Sequence, residues 1–331
     1  MGALTLRPPP YDQLVRVVIL GGTRFIGRAI VAGLAPDHEL IVVHRGEHEP
    51  DDLPEVEHLH VARRDLSTVR SQLDRFGADA LVDVGAMNGD DASRAVDVLP
   101  GDLRRVAISS MDVYRAYESL HANRQTDAVP LAEDAPLRSR RHIDGPDMEN
   151  LDVEAAYLPL GATVLRLGAV YGEHDYQQRL EFVLRRVRAG RERIPIGPGT
   201  FLFSRVYVRD VARAVRLALE TDAARGEIFN VCEHRTWPYR RFAEEIVGAA
   251  RSSAELVGVP ESVLPGDMLL TASLSQHLLG DPAKVRRILG WEETDPRAAL
   301  AKTVEWNLAH PPASPDPDFS ADDLALARAV G

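Results

Sequence analysis

The amino-acid sequence predicts an α/β protein built around a doubly wound parallel sheet. Short apolar runs rich in β-branched residues alternate with longer segments of helical periodicity along the first half of the chain. Several of these runs are almost continuously apolar, which is typical of strands covered by helices on both faces. The chain has 331 residues, 45% of them hydrophobic, so it is long enough for such a sheet and a second, smaller lobe.

Six strands are predicted in the first half of the chain. They lie at residues 15–20, 40–43, 56–61, 80–84, 106–109 and 162–167. Amphipathic periodicity predicts helices between them, at 28–34, 66–76 and 92–99. The composition changes near Gly172, and further helices are predicted at 211–220, 240–250 and 300–308.

These patterns predict four segments. We expect an N-terminal extension at 1–14, a first domain at 15–171, a smaller α/β lobe at 172–310 interleaved with the first domain, and a C-terminal tail at 311–331. The tail begins with a polar, proline-rich stretch, and Ser320 is placed to cap a last short helix. One basic cluster is predicted to be the solvated face of a helix and its exit: Arg185, Arg186, Arg188, Arg191 and Arg193.

Composition excludes several classes of protein. Cys232 is the only cysteine, so an intrachain disulfide cannot form. No apolar run approaches the roughly 18–20 residues that a membrane span requires, and we expect a cytoplasmic protein with no membrane partner. The formal net charge of −11 disfavours a nucleic-acid partner, because binding to phosphates needs clustered cations.

The loop after the first predicted strand has the composition of a phosphate-binding turn. It reads Gly21-Gly22-Thr23-Arg24-Phe25-Ile26-Gly27 and leads directly into a helix. Glycines there remove the Cβ atoms that would block a pyrophosphate from the backbone amides and the helix N-terminus. The strand–loop–helix context therefore predicts a Rossmann-type dinucleotide site with a nicotinamide cofactor.

The end of the second strand indicates which dinucleotide is bound. An acidic residue there would bind the ribose hydroxyls of NAD, but the chain has His44 and Arg45 instead. With Arg24 in the glycine loop, Arg45 favours the 2′-phosphate of NADP, although NAD remains open and Arg45 could simply face solvent. Further cofactor contacts are predicted after the third and fourth strands: Asp65 and Leu66 at the adenine edge, and Gly85, Ala86 and Met87 along the cofactor.

The motifs together resemble the extended and atypical short-chain dehydrogenase/reductases, the NAD(P)-dependent epimerase/dehydratase family, over residues 15–310. The glycine loop is most similar to the branch that contains chloroplast stem-loop RNA-binding proteins and actinobacterial epimerase-like proteins. Other matching segments follow the same order along the chain: 109–114 (SSMDVY), 166–172 (RLGAVYG), 206–212 (VYVRDVA), 226–231 (GEIFNV), 281–284 (DPAK) and 289–291 (LGW).

Three departures from the family pattern concern ligands. Arg24 stands where the extended family has a glycine, as in the NADP-using single-domain branch, which agrees with the NADP prediction. Ala169 replaces an asparagine of the family run. Phe203 stands where many nucleotide-sugar enzymes present an arginine to the diphosphate. The resemblance therefore implies a small-molecule substrate while disfavouring a nucleotide sugar.

The family's redox pair, a tyrosine followed four residues later by a lysine on one helix, is missing. No lysine precedes Lys284, and no tyrosine has a lysine at that spacing. Alignment on residues 151–154 places Pro146 and Asn150 in the two positions. Proline fits the first turn of a helix but exchanges no proton, and asparagine can bond to a ribose without carrying charge. The usual oxidoreductase mechanism is therefore not expected.

The resemblance leaves a smaller catalytic set. Ser110 matches the family's catalytic serine or threonine, Asp112 matches the acidic residue of sugar 4,6-dehydratases, and Tyr114 follows them, with Tyr117 as another replacement acid. The alternative is that Ser110 and Asp112 only cap the loop. Ser109 and Asn150 are assigned to cofactor contacts. His142 and Asp144 could reach the cleft, but a solvated loop is expected there.

No metal site is predicted. His44 and His48 flank the cofactor loop, and His58 and His60 lie on a strand without a third ligand nearby in the sequence. Cys232 lacks an adjacent base, which argues against a nucleophile.

Three hypotheses remain open. The first is an enzyme that binds NADP(H) and acts on a small or glycosidic substrate, moving protons through Ser110, Asp112 and Tyr114. The second is a non-redox lyase, isomerase or cyclase that keeps the fold. The third is a protein that senses the nucleotide or binds RNA. A homodimer is an additional expectation.

Overall fold

The structure is a computed structural model that describes residues 15–313 and 318–329. Its main element is a seven-stranded parallel sheet in the order β10-β6-β5-β4-β1-β2-β3, which confirms the predicted doubly wound architecture. The strands of the structure are β1 Arg16–Leu20, β2 Glu39–His44, β3 Glu57–His60, β4 Ala80–Asp83, β5 Arg104–Ser110, β6 Thr163–Leu167, β7 Ala169–Tyr171, β8 Arg193–Ile196, β9 Arg205–Tyr207, β10 Ile228–Val231 and β11 Glu255–Gly258.

Helices cover both faces of the sheet. They are α1 Phe25–Leu34, α2 Arg70–Phe76, α3 Gly89–Val98, α4 Arg115–His121, α5 Asn150–Tyr157, α6 Glu181–Arg188, α7 Val208–Glu220, α8 Tyr239–Ala249, α9 Ala283–Leu289, α10 Pro296–Ala309 and α11 Ser320–Leu326. On one face α1 packs against α7, and on the other α3 packs against α5. No helix among the described residues is long and apolar enough to cross a membrane.

Side chains of each central strand alternate between the two helix layers. Val17 and Ile19 of β1 enter the core beneath α1 and α7, whereas Val18 and Leu20 enter the core beneath α3 and α5. All four are at most 3% exposed. Burial on both faces explains why β1 is continuously apolar in sequence.

The second half of the chain adds smaller sheets above the carboxyl ends of the main strands. β7 pairs with β9 and β8 pairs with β11, both in parallel register. β10 returns to the edge of the main sheet beside β6. The two halves of the chain are thus interleaved in the structure.

The basic cluster on α6 is not a solvated face, which corrects the prediction from sequence. The Arg186 side chain is fully buried and its guanidinium pairs with Asp322 of α11 at 2.6 Å and with Asp267 at 2.7 Å. Arg188 pairs with Glu181 on its own helix. Helical periodicity in the sequence places Arg186 on one face of α6. That face is buried only because Asp322 of α11 and Asp267, both distant in the sequence, pack against it.

The C-terminal segment therefore continues into a docked helix. Ser320 is the first residue of α11 and its backbone amide donates to the Asp318 carboxylate at 2.8 Å, so Ser320 is not the capping residue that the sequence indicated. The rest of the predicted tail, at 314–317 and 330–331, and the predicted extension at 1–14 lie outside the described residues.

Candidate functional site

The glycine loop joins the carboxyl end of β1 to α1 at the centre of the sheet. Gly21 has a φ of +94°, which favours glycine. A Cβ at Gly27 would lie 1.9 Å from the Gly21 carbonyl oxygen, and one at Gly22 would lie 2.5 Å from Val42 Cγ1. Glycine is therefore required for the loop to fold closely against the start of α1.

The loop forms the floor of a cleft of about 520 Å³. Most of the predicted cofactor contacts line it: Gly21, Thr23, Arg24, Phe25, Ile26, Gly27, His44, Arg45, Leu66, Gly85 and Met87. Gly22 is buried against Val42 instead. Tyr176, Gln177 and Arg179, from the segment after β7, complete the opposite wall. Sequence reasoning missed this wall because its residues lie about 150 positions from the loop that they face.

Apart from Gly22 and Asn150, three predicted contacts do not line the cleft. Asp65 turns away and pairs with Arg64 at 3.3 Å, Ala86 is buried beside it, and Ser109 donates to the buried Glu154 carboxylate at 2.7 Å. In place of Asp65, the neighbouring Arg63 enters the cleft, where its guanidinium is bound to the Asp83 carboxylate. The sequence could not predict that arrangement, because the Asp83 carboxylate that binds Arg63 lies at the end of β4, in a different segment of the chain.

The end of the cleft beside β2 carries cationic side chains. Arg24 and Arg45 are exposed there, and Arg45 pairs with Glu47 at 3.0 Å. An exposed pair of this kind is weak and can exchange for a phosphate. The closely packed glycine loop and these cations together fit a dinucleotide, whose nicotinamide would supply hydride chemistry.

His44 is less free than the sequence indicated. It is buried, its Nδ1 accepts from the Gly46 amide at 3.1 Å, and its Nε2 lies 2.9 Å from His58 Nδ1. Burial, with smaller contributions from His58 and His60, lowers the pKa of His44 to about 4. The structure also brings His60 and Glu49 to this group, which corrects the conclusion from sequence that His58 and His60 lack further ligands.

Asp112 lies beyond the carboxyl end of β5, in a largely buried position. Its side chain is 12% exposed, and both carboxylate oxygens accept from Asn150 Nδ2 at 3.0 Å. Burial raises the pKa of Asp112 to about 7, against the opposing effects of Asn150 and of Arg138; the charges of Asp144 and Glu149 raise it further. A carboxyl with such a pKa can give or take a proton at neutral pH.

Asn150 is thus a partner of Asp112 rather than a residue lining the cofactor cleft. It is the first residue of α5, and Pro146 lies four residues before that helix. The prediction that Pro146 occupies a first helical turn is therefore wrong. The shortened helix leaves the amide of Asn150, and not a lysine ammonium, beside the acid.

Two other members of the predicted catalytic set have structural partners. Ser110 Oγ accepts from the Asp112 amide at 3.2 Å, so the capping interpretation holds for Ser110. Tyr114 is fully buried and its hydroxyl donates to Asn230 Oδ1 at 2.7 Å. Burial raises the pKa of Tyr114 to about 12. The prediction that Tyr114 is a catalytic acid is corrected, because its hydroxyl proton is donated to Asn230 inside the core.

Tyr117 and Asp144 form a second proton-bearing pair near Asp112. The Tyr117 hydroxyl donates to Asp144 Oδ1 at 2.6 Å. Burial and this carboxylate raise the pKa of Tyr117. Asp144 is exposed, as expected for a loop, but it is a specific partner. His142 is also exposed, and its backbone amide donates to Glu149.

A second cavity, of about 620 Å³, lies between α6, α8 and the C-terminal segment. Phe182, Phe203 and Tyr239 supply aromatic walls, and Ala169 lies at its inner end. Asp318 and Ala321 close it from the C-terminal side, while Arg179 borders both this cavity and the cofactor cleft. The second cavity is therefore adjacent to the first.

Comparisons with known proteins agree with this architecture. Residues 147–232 match the model of the NAD dependent epimerase/dehydratase family. The chain is 24% identical to the chloroplast stem-loop binding protein of 41 kDa b from Arabidopsis thaliana over 95% of this chain and 84% of that protein. It is 26% identical to the 2′-dehydrokanamycin reductase of Streptomyces kanamyceticus over 76% of this chain and 71% of that protein.

Solved structures share the fold. The UDP-N-acetylglucosamine 4-epimerase of Methanobrevibacter ruminantium M1, solved with UDP-N-acetylmuramic acid, superposes with a TM-score of 0.70 at 18% identity, over 90% of this chain and 99% of that one. The fold and the family match therefore agree on a Rossmann-type α/β architecture similar to that of NAD-dependent epimerases and dehydratases. The chain is thus similar to the NAD-dependent epimerase/dehydratase family, by the family match over residues 147–232 and by its two relatives.

Proposed function

We propose that the protein is an NADP(H)-binding enzyme that exchanges a proton with a small, sugar-like substrate through Asp112. The observation that carries the proposal is the buried Asp112 carboxyl, with a pKa of about 7, held by Asn150 at the position where the family resemblance places a lysine. A carboxylic acid poised near neutrality can replace a tyrosine as the proton-exchanging group. Asp112 therefore takes the catalytic role in this proposal, and Ser110 supports the backbone beside it.

The preference for NADP rests on Arg24 and Arg45. Both are exposed at the β2 end of the cleft, and no acidic residue directly follows β2 at the position where NAD enzymes hold the ribose hydroxyls. The carboxylate of Glu47 pairs with Arg45 and would be displaced by a 2′-phosphate of higher charge.

The second cavity is the proposed site for the body of the substrate; Asp112 is not among its lining residues, so the reacting group would have to extend beyond the cavity to reach it. Its aromatic walls suit the apolar face of a sugar ring, and Phe203 presents no charge to a nucleotide diphosphate. The relative that reduces 2′-dehydrokanamycin supports a sugar-type ketone that is not carried by a nucleotide. Arg179, at the border of the two cavities, is placed to hold the substrate against the cofactor.

Two measurements test the proposal. Calorimetry compares the affinities for NADPH and NADH, and we expect tighter binding of NADPH. Turnover is then followed by nicotinamide absorbance and by mass spectrometry with a panel of keto- and aminoglycosides and matched nucleotide sugars, in wild type and Asp112→Asn. Absence of binding to either nucleotide, or equal turnover by Asp112→Asn, would overturn the proposal.

The stem-loop binding relative favours RNA binding as a second candidate. Against it, the net charge of −11 provides little attraction for phosphates. Retention of stem-loop RNA that falls steeply with salt would support RNA binding, and no retention at low salt would exclude it.

A further inference from the structure

We propose that His44, Glu49, His58 and His60 form a binding site for a divalent transition-metal ion of the zinc type. The four residues lie together at the edge of the main sheet, beside the β2 end of the cofactor cleft. Neither the family resemblance nor the proposed function requires a metal there.

The parallel pairing of β2 and β3 positions three of the four proposed ligands. His44 and His60 occupy paired positions in the register of the two strands. His58 is two residues before His60 on β3, so its side chain leaves the same face of the sheet. Three imidazoles are therefore fixed by strand geometry, and Glu49 reaches them from the turn after β2.

The donor atoms are already close to a coordination geometry. His44 Nε2 lies 2.9 Å from His58 Nδ1 and 3.4 Å from Glu49 Oε2, and His60 Nε2 lies 2.6 Å from Glu49 Oε2. All four donor atoms fall within 4.8 Å of one another. A tetrahedral ion with bonds of about 2.0–2.2 Å holds its ligands roughly 3.3 Å apart, so small side-chain adjustments bring all four into range.

The donor types select the class of ion. Three imidazole nitrogens and one carboxylate oxygen suit Zn²⁺ and other late first-row ions such as Co²⁺. Mg²⁺ and Ca²⁺ prefer sites made of oxygen donors. The set therefore indicates a zinc-type ion and excludes an alkaline-earth site.

An entry path exists from solvent. The His44 side chain is 5% exposed, whereas Glu49 is 40% and His60 is 53% exposed. An ion can meet the two outer ligands first and then the buried imidazole.

Coordination would also act on the neighbouring turn. In the structure His44 Nδ1 accepts from the Gly46 amide, which leaves the proton of the neutral ring on Nε2. Binding an ion through Nε2 moves that proton to Nδ1, and the bond from Gly46 is lost. The turn carrying Arg45 and Glu47 would then change position at the mouth of the cleft.

The test uses full-length protein without a histidine tag, stripped with a chelator and then titrated with Co²⁺. We expect one Co²⁺ per chain, with visible absorption bands typical of tetrahedral coordination, and displacement by Zn²⁺. Zn²⁺ should also raise the unfolding temperature of the wild type, because an ion that binds only the native state stabilises it.

Single variants at the outer ligands, His60→Ala and Glu49→Gln, should lose the bands and the thermal shift. Both side chains are exposed, so both variants should fold as the wild type does. His48→Ala is the matched control, since His48 lies in the same turn but outside the four-residue cluster found among the described residues. Wild type that binds no stoichiometric Co²⁺, or His60→Ala and Glu49→Gln that both bind it as wild type does, would overturn the proposal.

Discussion

The two ends of the proposed cofactor region match the pattern of the resembled family to different degrees. At the phosphate end, the glycine loop from Gly21 to Gly27 has the close backbone packing that a dinucleotide requires. At the reacting end, α5 begins only at Asn150, and that residue binds Asp112 where the resemblance implies a lysine. Dinucleotide binding at the loop would depend on backbone geometry, whereas the reaction would depend on side chains. The reacting side chains can therefore change while the backbone geometry of the loop is retained.

The two ends also differ in the structural features on which their proposed roles depend. In the proposed function the glycine loop would act through amides whose positions follow from β1 and α1, both rigid elements. Asp112 works through a pKa, which depends on burial and on four charged or polar neighbours from other segments. A function built on such a carboxyl is therefore more sensitive to single substitutions in distant loops.

A large effect on cofactor affinity is expected from Gly27→Ala at the phosphate end. The added Cβ would lie 1.9 Å from the Gly21 carbonyl oxygen, so the loop must open. Losing two or more charge-assisted phosphate contacts, each about 1.5–3 kcal/mol, should lower the affinity for NADPH more than about 100-fold in calorimetry.

Gly33→Ala in the same helix is the control for Gly27→Ala. Its added Cβ would be 3.4 Å from Ala212 Cβ, a contact that small shifts can accommodate. If both variants bind NADPH as wild type does, the loop is not the phosphate site and the comparison between the two ends fails.

Asp112→Asn tests the reacting end. Removing a general acid or base should reduce turnover about 10²–10⁴-fold and leave the affinity for NADPH close to that of wild type. The apparent pKa near 7 in the pH–rate profile should disappear, because it belongs to Asp112. Asp74→Asn, on the exposed face of α2, provides the matched change of charge and should retain turnover. A profile with its inflection near 7 intact in Asp112→Asn would assign that pKa to another group.

Sequence predicted the scaffold better than the reacting end, for a physical reason. The strand positions and the glycine loop follow from local patterns, since an apolar run or a turn carries its own signal, whereas Asp112 was assigned through the family resemblance. The roles of Tyr114, Asp65 and Arg186 were misjudged because their partners, Asn230, Arg64 and Asp322, are chosen by packing. The cluster of His44 and His60 needed the strand register, which links residues 16 positions apart.

Arg45→Glu should have a moderate effect confined to the phosphate of NADP. Loss of one charge-assisted contact, with a new repulsion, should weaken NADPH binding about 10- to 100-fold while NADH binding changes little. Calorimetry with both nucleotides measures the change, and Arg75→Glu on α2 controls for net charge. Equal weakening of NADPH and NADH binding would show that Arg45 does not contact the 2′-phosphate.

The smallest effect is expected from Asp144→Asn, which alters the electrostatics of Asp112 without touching its carboxyl. The charge of Asp144 raises the pKa of Asp112, so removing that charge should move the pKa down from about 7. A group whose pKa rises on folding stabilises the native state fully at low pH. That stabilisation declines as the pH rises from the ordinary value of 3.8 and is lost once the pH has passed through the native pKa.

The shift caused by Asp144→Asn can be measured without turnover. The free energy of unfolding is followed against pH for the wild type and Asp112→Asn, and again for Asp144→Asn and the double variant. Each difference isolates the contribution of Asp112, and its decline should level off near pH 7 in the first pair and at a lower pH in the second. Coincident curves would mean that solvent screens Asp144 from Asp112, and that burial alone sets the acid at the reacting end.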